Sequence, residues 1–345
     1  MVQAGQQVAA SVDGSIQGAG AREQEAGALD IKQIRYFIAI VDYGSLTKAA
    51  AHLGIAQPAL SQHVSALEAE CRAQLLMRNP HGVTPTEKGK VLYRHGCILL
   101  HQVEQAQAAL QSETTGVSGV VSVGLPTTVT AALAIPLLRR VRELYPGIRL
   151  QLFESPSGYL VELLVTNRLD LAVLFRDEET RSICATPLLV EYLFLIGDCG
   201  LSDEMRARDR CPLSDLREIP LVLPNPTHEL RQTLDSVFTR EGIEANTIAD
   251  IDSLPTMVAA ARDDLACTIL PPSALLPYDS GRAPRARQIV SPEVGRPISL
   301  CRLHNAHRPP AAIAVEDLIV ALVPQLIGEG LWPGVVPAQE GGQPP

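Results

Sequence analysis

Gly44-Ser45-Leu46-Thr47-Lys48-Ala49-Ala50-Ala51-His52-Leu53-Gly54, followed after Ile55-Ala56 by Gln57-Pro58-Ala59-Leu60-Ser61-Gln62-His63-Val64-Ser65-Ala66-Leu67, decides the fold of the N-terminal part of this chain. Leu46, Ala50 and Leu53 recur at helical spacing, and Ser45 stands where an N-cap belongs. Gly54 is free to take positive φ and turn the chain. Pro58 suits the first turn of a next helix, where its missing N–H costs nothing, and Leu60, Val64 and Leu67 carry that helix's buried face. Upstream, Ile31, Ile34, Ile38 and Val41 form the stripe of a supporting helix that ends at Gly44. Ala49, Ala50 and Ala51 allow close helix approach. The spacing predicts a helix-turn-helix, although an ordinary corner of a helical bundle would show the same periods.

The polar residues of the third helix sharpen the reading. Gln57, Ser61, Gln62 and Ser65 point away from its apolar stripe and His63 flanks it. Glutamine can bond adenine bidentately and serine can serve any base, whereas a merely solvated helix face would carry similar residues. Ser45, Thr47 and Lys48, with the backbone amides beside them, and Pro58 at the start of the third helix are placed for phosphate and groove contact. Arg78-Asn79-Pro80-His81-Gly82-Val83-Thr84-Pro85-Thr86 predicts a tight hairpin, a wing whose contacts would come from Arg78 and His81. Thr86 then caps a long helix, with Glu87 in its first turn. Leu92, Leu99, Val103, Ala106 and Leu110 run along one side of that helix and favour dimerisation; packing against its own domain is the alternative.

Charge supports this division. Over the 345 residues, Lys+Arg number 29 and Asp+Glu 38, a net −9. Residues 30–95 alone carry +3, so a weakly basic module precedes an acidic one at −12. Such asymmetry hints at nucleic-acid contact at one end. With 46% apolar and 19% charged residues, most of the chain should fold. No apolar run is expected to reach the roughly 18–20 residues of a membrane span, and residues 1–28 lack the basic start and apolar block of a secretory signal. Those 28 residues, rich in Gly, Ala, Gln and Ser, are expected to be a disordered extension, and 327–345 a loose tail.

Seven scattered cysteines (71, 97, 184, 199, 211, 267 and 301) without any C-x-x-C suit reduced thiols and a cytoplasmic protein. Their spacing suggests no metal site, and no cofactor is expected. Nucleophile-elbow, phosphate-loop and metal-hydrolase motifs are missing from the sequence, so catalytic residues are not assigned and no enzyme activity is expected.

Taken together, residues 29–95 resemble the LysR-type transcriptional regulator family. The resemblance runs from Leu29-Asp30-Ile31-Lys32-Gln33-Ile34-Arg35-Tyr36-Phe37 through Gly44-Ser45-Leu46-Thr47-Lys48-Ala49-Ala50, Leu53, Gln57-Pro58-Ala59-Leu60-Ser61-Gln62-His63-Val64, Leu67-Glu68, Leu75-Leu76-Met77-Arg78, Gly82-Val83-Thr84-Pro85-Thr86 and Gly89, and extends more weakly to about residue 325. It looks closest to regulators of the nitrogen-assimilation kind. There are departures. Cys71-Arg72 stands where the family often has Leu-Gly, His81 and Gln62 stand where it often has Arg, and Asp264-Leu265-Ala266 replaces a common Gly-Leu-Gly.

Beyond a hinge at 114–119 and a linker helix at 87–113, strand-like and helix-like runs alternate. Val120–Gly124, Leu133–Val141, Ile148–Phe153, Tyr159–Asn167 and Leu169–Phe175 spell a β-α-β-α-β half-domain with parallel strands. A second set follows with strands at Pro187–Ile196, Pro220–Leu223 and Asn246–Ile251 and helices at Arg231–Glu241 and Leu254–Arg262; Thr268–Leu270 is expected to return to the first lobe. The expected whole is an all-α winged helix-turn-helix domain (29–86) joined to a two-lobed α/β domain (120–326) that resembles a periplasmic binding protein. Ligands of open α/β sheets bind outside the strand C-termini. Matching those points to the family's effector cleft gives Thr127, Thr128, Ser157, Arg176, Asn225 and Thr227, a set suited to a small anion, although each Ser or Thr could equally be a plain helix cap. The resemblance implies a transcriptional regulator that binds double-stranded DNA and a small-molecule effector, works as a homodimer or homotetramer, and has RNA polymerase as a candidate partner and no membrane. A small-molecule-binding protein or enzyme on the same two-lobed fold is the alternative.

Overall fold

This computed structural model describes residues 29–80, 82–111, 116–278, 281, 283–304 and 306–338. The expected extension 1–28, His81, the first part of the hinge and tail residues 339–345 lie outside the described residues. The chain divides into two compact units, the first ending at Gly89 and the second beginning at Lys90.

In the first unit, α1 (Ile31–Tyr43), α2 (Leu46–Leu53) and α3 (Gln57–Glu70) precede an antiparallel hairpin of β1 (Leu76–Asn79) and β2 (Gly82–Pro85). Gly44 and Gly54 close α1 and α2 at φ 58° and 66°, the left-handed cap that glycine adopts without a Cβ clash. Ser45 caps α2 through Lys48 N–H at 3.4 Å. Ile34, Phe37, Ile40, Leu60, Val64, Leu67 and Leu75 are fully buried, each worth roughly 1.5–3 kcal/mol on removal from water. Glu68 ties the hairpin to α3: its carboxylate accepts from the amides of Leu75 (2.7 Å) and Leu76 (3.1 Å). Thr86 caps α4 (Glu87–Gln111), accepting from Gly89 N–H at 3.0 Å.

The second unit holds two lobes. Lobe I is built from β3 (Ser118–Leu125), α5 (Thr127–Leu144), β4 (Gly147–Glu154), α6 (Ser157–Val165), β5 (Leu171–Leu174) and the long β6 (Ile183–Tyr192). Lobe II comprises β7 (Phe194–Ile196), α7 (Asp203–Ala207), β8 (Arg210–Pro212), β9 (Leu221–Leu223), α8 (Glu229–Arg240), β10 (Thr247–Asp250), α9 (Leu254–Arg262), β11 (Thr268–Leu270) and β12 (Ala286–Val290). The chain then re-enters lobe I through β13 (Gly295–Leu303), α10 (Pro310–Gly328) and β14 (Val335–Pro337). The lobe I sheet runs β14-β6-β13-β5-β3-β4, with β4, β3 and β5 parallel as the half-domain pattern predicts. Lobe II pairs β11-β7-β12-β8 and, separately, β10-β9.

Four expectations are corrected. β3 begins at Ser118, so Ser118 and Gly119 belong to the sheet and not to a hinge. The run Pro187–Ile196 is two strands, because the chain leaves lobe I after Tyr192 and enters lobe II at Phe194. Thr268–Leu270 stays in lobe II, antiparallel to β7; the return is made by nine-residue β13, long enough to pass between lobes where a three-residue strand ahead of Pro271-Pro272 is not. Residues 327–338 are not loose: α10 continues to Gly328, Trp332 is only 2% exposed in the lobe I core, and β14 adds to the free edge of β6. α10 is long and apolar enough to cross a membrane, with mean hydropathy 1.8. It is instead a core helix, burying Ala311, Val315, Ile319 and Val323, while Arg302 and Arg308 hold its Glu316.

Candidate nucleic-acid interface and interlobe cleft

The α2–α3 corner presents Thr47, Lys48, Pro58 and Gln62 to solvent, with Gln57, Ser61 and Ser45 half-buried beside them. Two of the sequence-selected residues are held internally. His63 lies against the Tyr36 ring, 5.0 Å between centroids, and Ser61 Oγ accepts from Arg78 Nη2 at 3.1 Å. That last bond fastens the wing strand to the reading helix. Ser45 spends its hydroxyl on the cap. Gln62, Thr47 and Lys48 therefore carry the freest polar groups on this surface, and Arg78 frames one side. Arg72 takes φ 48° just past α3, a left-handed backbone where glycine would be unstrained.

α4 has two characters. Its Leu99 is 47% exposed and Val91 nearly as much. On another side, within the second unit, Gln105 Nε2 donates to the Val120 carbonyl (2.8 Å) and His101 Nε2 meets Asp170 at 3.0 Å. Asp170 also accepts from Ser122 N–H and Oγ, both at 2.7 Å. Burial alone would raise the Asp170 carboxyl; the hydrogen bonds and charge of His101 and the Ser122 donors outweigh it and hold it below its usual range. For His101, burial pulls downward and Asp170 more than reverses it, so the imidazolium is favoured.

The cleft is organised by the two strands that cross between lobes. Glu191 on β6 faces Arg296 on β13 in register, and both are buried, Glu191 completely. Arg296 donates through Nε (3.0 Å) and Nη2 (2.7 Å) to Glu191, through Nη2 to Thr128 Oγ1 (3.3 Å), and lies 3.5 Å above the Phe175 ring centre. Ser273 Oγ donates to the other Glu191 oxygen at 2.9 Å. From lobe II come His228 and Glu229 at the start of α8. Burial raises Glu229, against the Ser157 hydrogen bond and the charges of Arg296 and Arg176. Burial and then Arg296 lower His228, against Asp252.

Of the six residues chosen from the sequence, Thr128, Ser157 and Arg176 thus converge with Arg296 and Glu229. Arg176 also donates from Nε to the Glu178 carbonyl at 3.0 Å. Thr127 is exposed at the start of α5. Asn225 and Thr227 are occupied within their own loop: Asn225 bonds the Asp252 carboxylate through backbone and side chain, and its Oδ1 accepts from Thr227 N–H at 2.8 Å. Glu191, Arg296 and Glu229 were missed, because nothing in local spacing announces a pair separated by 105 residues.

Residues 31–90 match the family model for the bacterial regulatory helix-turn-helix protein, lysR family, and residues 114–323 match that for the LysR substrate binding domain. The chain belongs to the LysR family. This LysR regulator is 38% identical over 299 residues to the nitrogen assimilation regulatory protein nac of Klebsiella aerogenes, spanning 86% of this chain and 95% of that protein. Identity to the same-named protein of Escherichia coli (strain K12) is 36% with the same coverage. Among solved structures, full-length CbnR complexed with its target DNA superposes with TM-score 0.62 at 22% identity, covering 86% of this chain and all of that one. Full-length OxyR C199D from Pseudomonas aeruginosa gives 0.63 at 19%, covering 91% and 99%. Those likenesses establish the fold: a winged helix-turn-helix followed by a two-lobed α/β domain. The protein is a DNA-binding transcriptional regulator of LysR type.

Proposed function

We propose that this LysR regulator reads duplex DNA with α3 in the major groove, as a homodimer or homotetramer, and that a small effector bound between the lobes changes its state. The observation that carries the reading is the exposed polar edge of the α2–α3 corner, where Gln62 can reach base edges while Thr47, Lys48 and the α2 amides meet phosphate. Gln57, Pro58, Ser61 and Arg78 line the same surface, and His63 and Ser45 support it from within. Apolar side chains left in solvent on α4 (Val91, Leu99) and α5 (Ile135, Leu138) suit a second copy of the chain. Two copies would place two reading helices in successive grooves.

In the cleft, Arg176 with Thr128 and Ser157 suits an anionic group, and Glu229 opposite them suits a donor on the same ligand. Such an effector acts only by binding one lobe arrangement better than another. The relatives named for nitrogen assimilation support control of genes in nitrogen metabolism. On this reading the protein works in the cytoplasm, and RNA polymerase is a candidate further partner. The test is a gel-shift series with an operator recovered by mapping bound chromosomal DNA. Gln62→Ala should weaken operator binding roughly 5- to 100-fold, the worth of one good base contact, while changing non-specific binding less than about twofold. Equal loss on both DNAs overturns the base-reading role.

A further inference from the structure

We propose that Cys184, His304 and Glu179 form a binding site for a zinc-class divalent cation at the edge of lobe I. In the sequence these residues are up to 125 positions apart, and their spacing gives no hint of a site. The sheet brings them together. β6 and β13 are antiparallel with Cys184 opposite Arg302, so His304, two residues beyond Arg302, falls on the same face as Cys184. The His304 amide donates to the Ser182 carbonyl at 2.9 Å, which keeps the chain beside β6 after β13 has ended. Cys184 Sγ then lies 2.9 Å from His304 Nδ1. Glu179 is returned to the same place by a tight turn in which Thr180 N–H donates to the Ile183 carbonyl (3.0 Å) and Ile183 N–H to Thr180 Oγ1 (3.2 Å). Its carboxylate accepts from Ala185 N–H at 3.4 Å, leaving the second oxygen available.

All three donor atoms lie within 4.8 Å of one another. Among the described residues no other trio of His, Cys and carboxylate converges in this way. Around tetrahedral zinc, bond lengths of about 2.0–2.3 Å put donors roughly 3.3–3.7 Å apart, so small side-chain rotations would seat an ion. One thiolate, one imidazole and one carboxylate favour zinc over magnesium or calcium, which prefer oxygen alone. Binding releases the thiol proton to solvent, and the two anionic ligands balance the ion's charge. A fourth position stays open to water. The bond from Ala185 orients the carboxylate as an outer partner of such sites does.

The test uses the full-length regulator, reduced and stripped with chelator, and titrated with Co²⁺ while the thiolate-to-cobalt charge-transfer band is followed. The expected result is saturation at one Co²⁺ per chain, with the band displaced by Zn²⁺. Cys184→Ser should abolish the band, and His304→Ala should weaken binding at least about tenfold. Cys199→Ser, which alters a cysteine elsewhere, should leave it unchanged. Circular dichroism checks that each variant is folded, and His304→Ala decides the matter if Cys184→Ser is not. A band that persists undiminished in both ligand variants, or no saturable band in the parent protein, overturns the proposal and leaves Cys184 and His304 as an ordinary surface hydrogen bond.

Discussion

Replacing Arg296 with methionine removes the only cation that, among the described residues, is bonded to the completely buried carboxylate of Glu191. Glu191 would keep a single neutral donor, Ser273, in place of three donor contacts. Breaking one side of a buried ion pair costs about 3–5 kcal/mol, because the remaining charge is stranded away from water. The pair sits where the two lobe-crossing strands meet, so the loss falls on lobe I and the crossing together. Trp332 is the chain's sole tryptophan and lies in the lobe I core, so its fluorescence reports that transition. With a urea dependence of about 3 kcal/mol per molar, the midpoint should fall by roughly 1–1.7 M. The double variant Glu191→Leu/Arg296→Met replaces both charges with apolar volume and should recover at least half of the loss. Full recovery is not expected, since Thr128 and Ser273 each lose a partner worth about 1 kcal/mol. If the double variant is as unstable as the two single losses added together, the residues are not interdependent and the pairing argument fails.

Three further outcomes follow from the geometry. The raised His101 contributes stability that is fully present below its ordinary value of 6.5 and is lost as pH rises through the folded value. Asp170, held low, contributes above its ordinary 3.8 and loses that only as pH falls through its own folded value. Urea midpoints on the alkaline side of 6.5 should therefore fall with pH in the parent protein and much less in His101→Ala; identical slopes would refute the linkage. Gly89→Ala would place a Cβ 2.1 Å from the Leu75 carbonyl oxygen, forcing α4 and the hairpin apart at a cost of about 1–3 kcal/mol, measurable as lost thermal stability of the N-terminal unit. Arg72→Gly and Asp264→Gly relieve left-handed backbone at φ 48° and 56°; each should raise stability by about 0.5–1 kcal/mol after the glycine's greater unfolded-state freedom is counted, and a loss at both positions would refute the strain.

What was legible in the sequence was local. The helix-turn-helix could be read because Ser45, Gly54 and Pro58 sit within a turn of the structures they define, and the apolar stripes repeat within single helices. The β-α-β-α-β half of lobe I was legible for the same reason. The cleft was not, because its centre depends on Glu191 and Arg296 meeting across strands that the chain reaches only after building all of lobe II. The rule that ligands lie beyond strand ends pointed to Asn225 and Thr227, just past β9, but could not reveal that Asp252, from the loop after the neighbouring β10, already holds Asn225, whose Oδ1 in turn accepts from Thr227. Composition misled at the C-terminus: proline and glycine around Trp332 suggested a loose tail. One large aromatic side chain and an unpaired edge of β6 were enough to order it. Arg72 and Asp264 join the two levels. Each departs from a glycine that the family resemblance leads one to expect, and each adopts a backbone that glycine would take without strain. The fold has thus kept the turn and accepted the cost of the side chain, which places an extra positive charge beside the reading helix and an extra negative one on the lobe II surface.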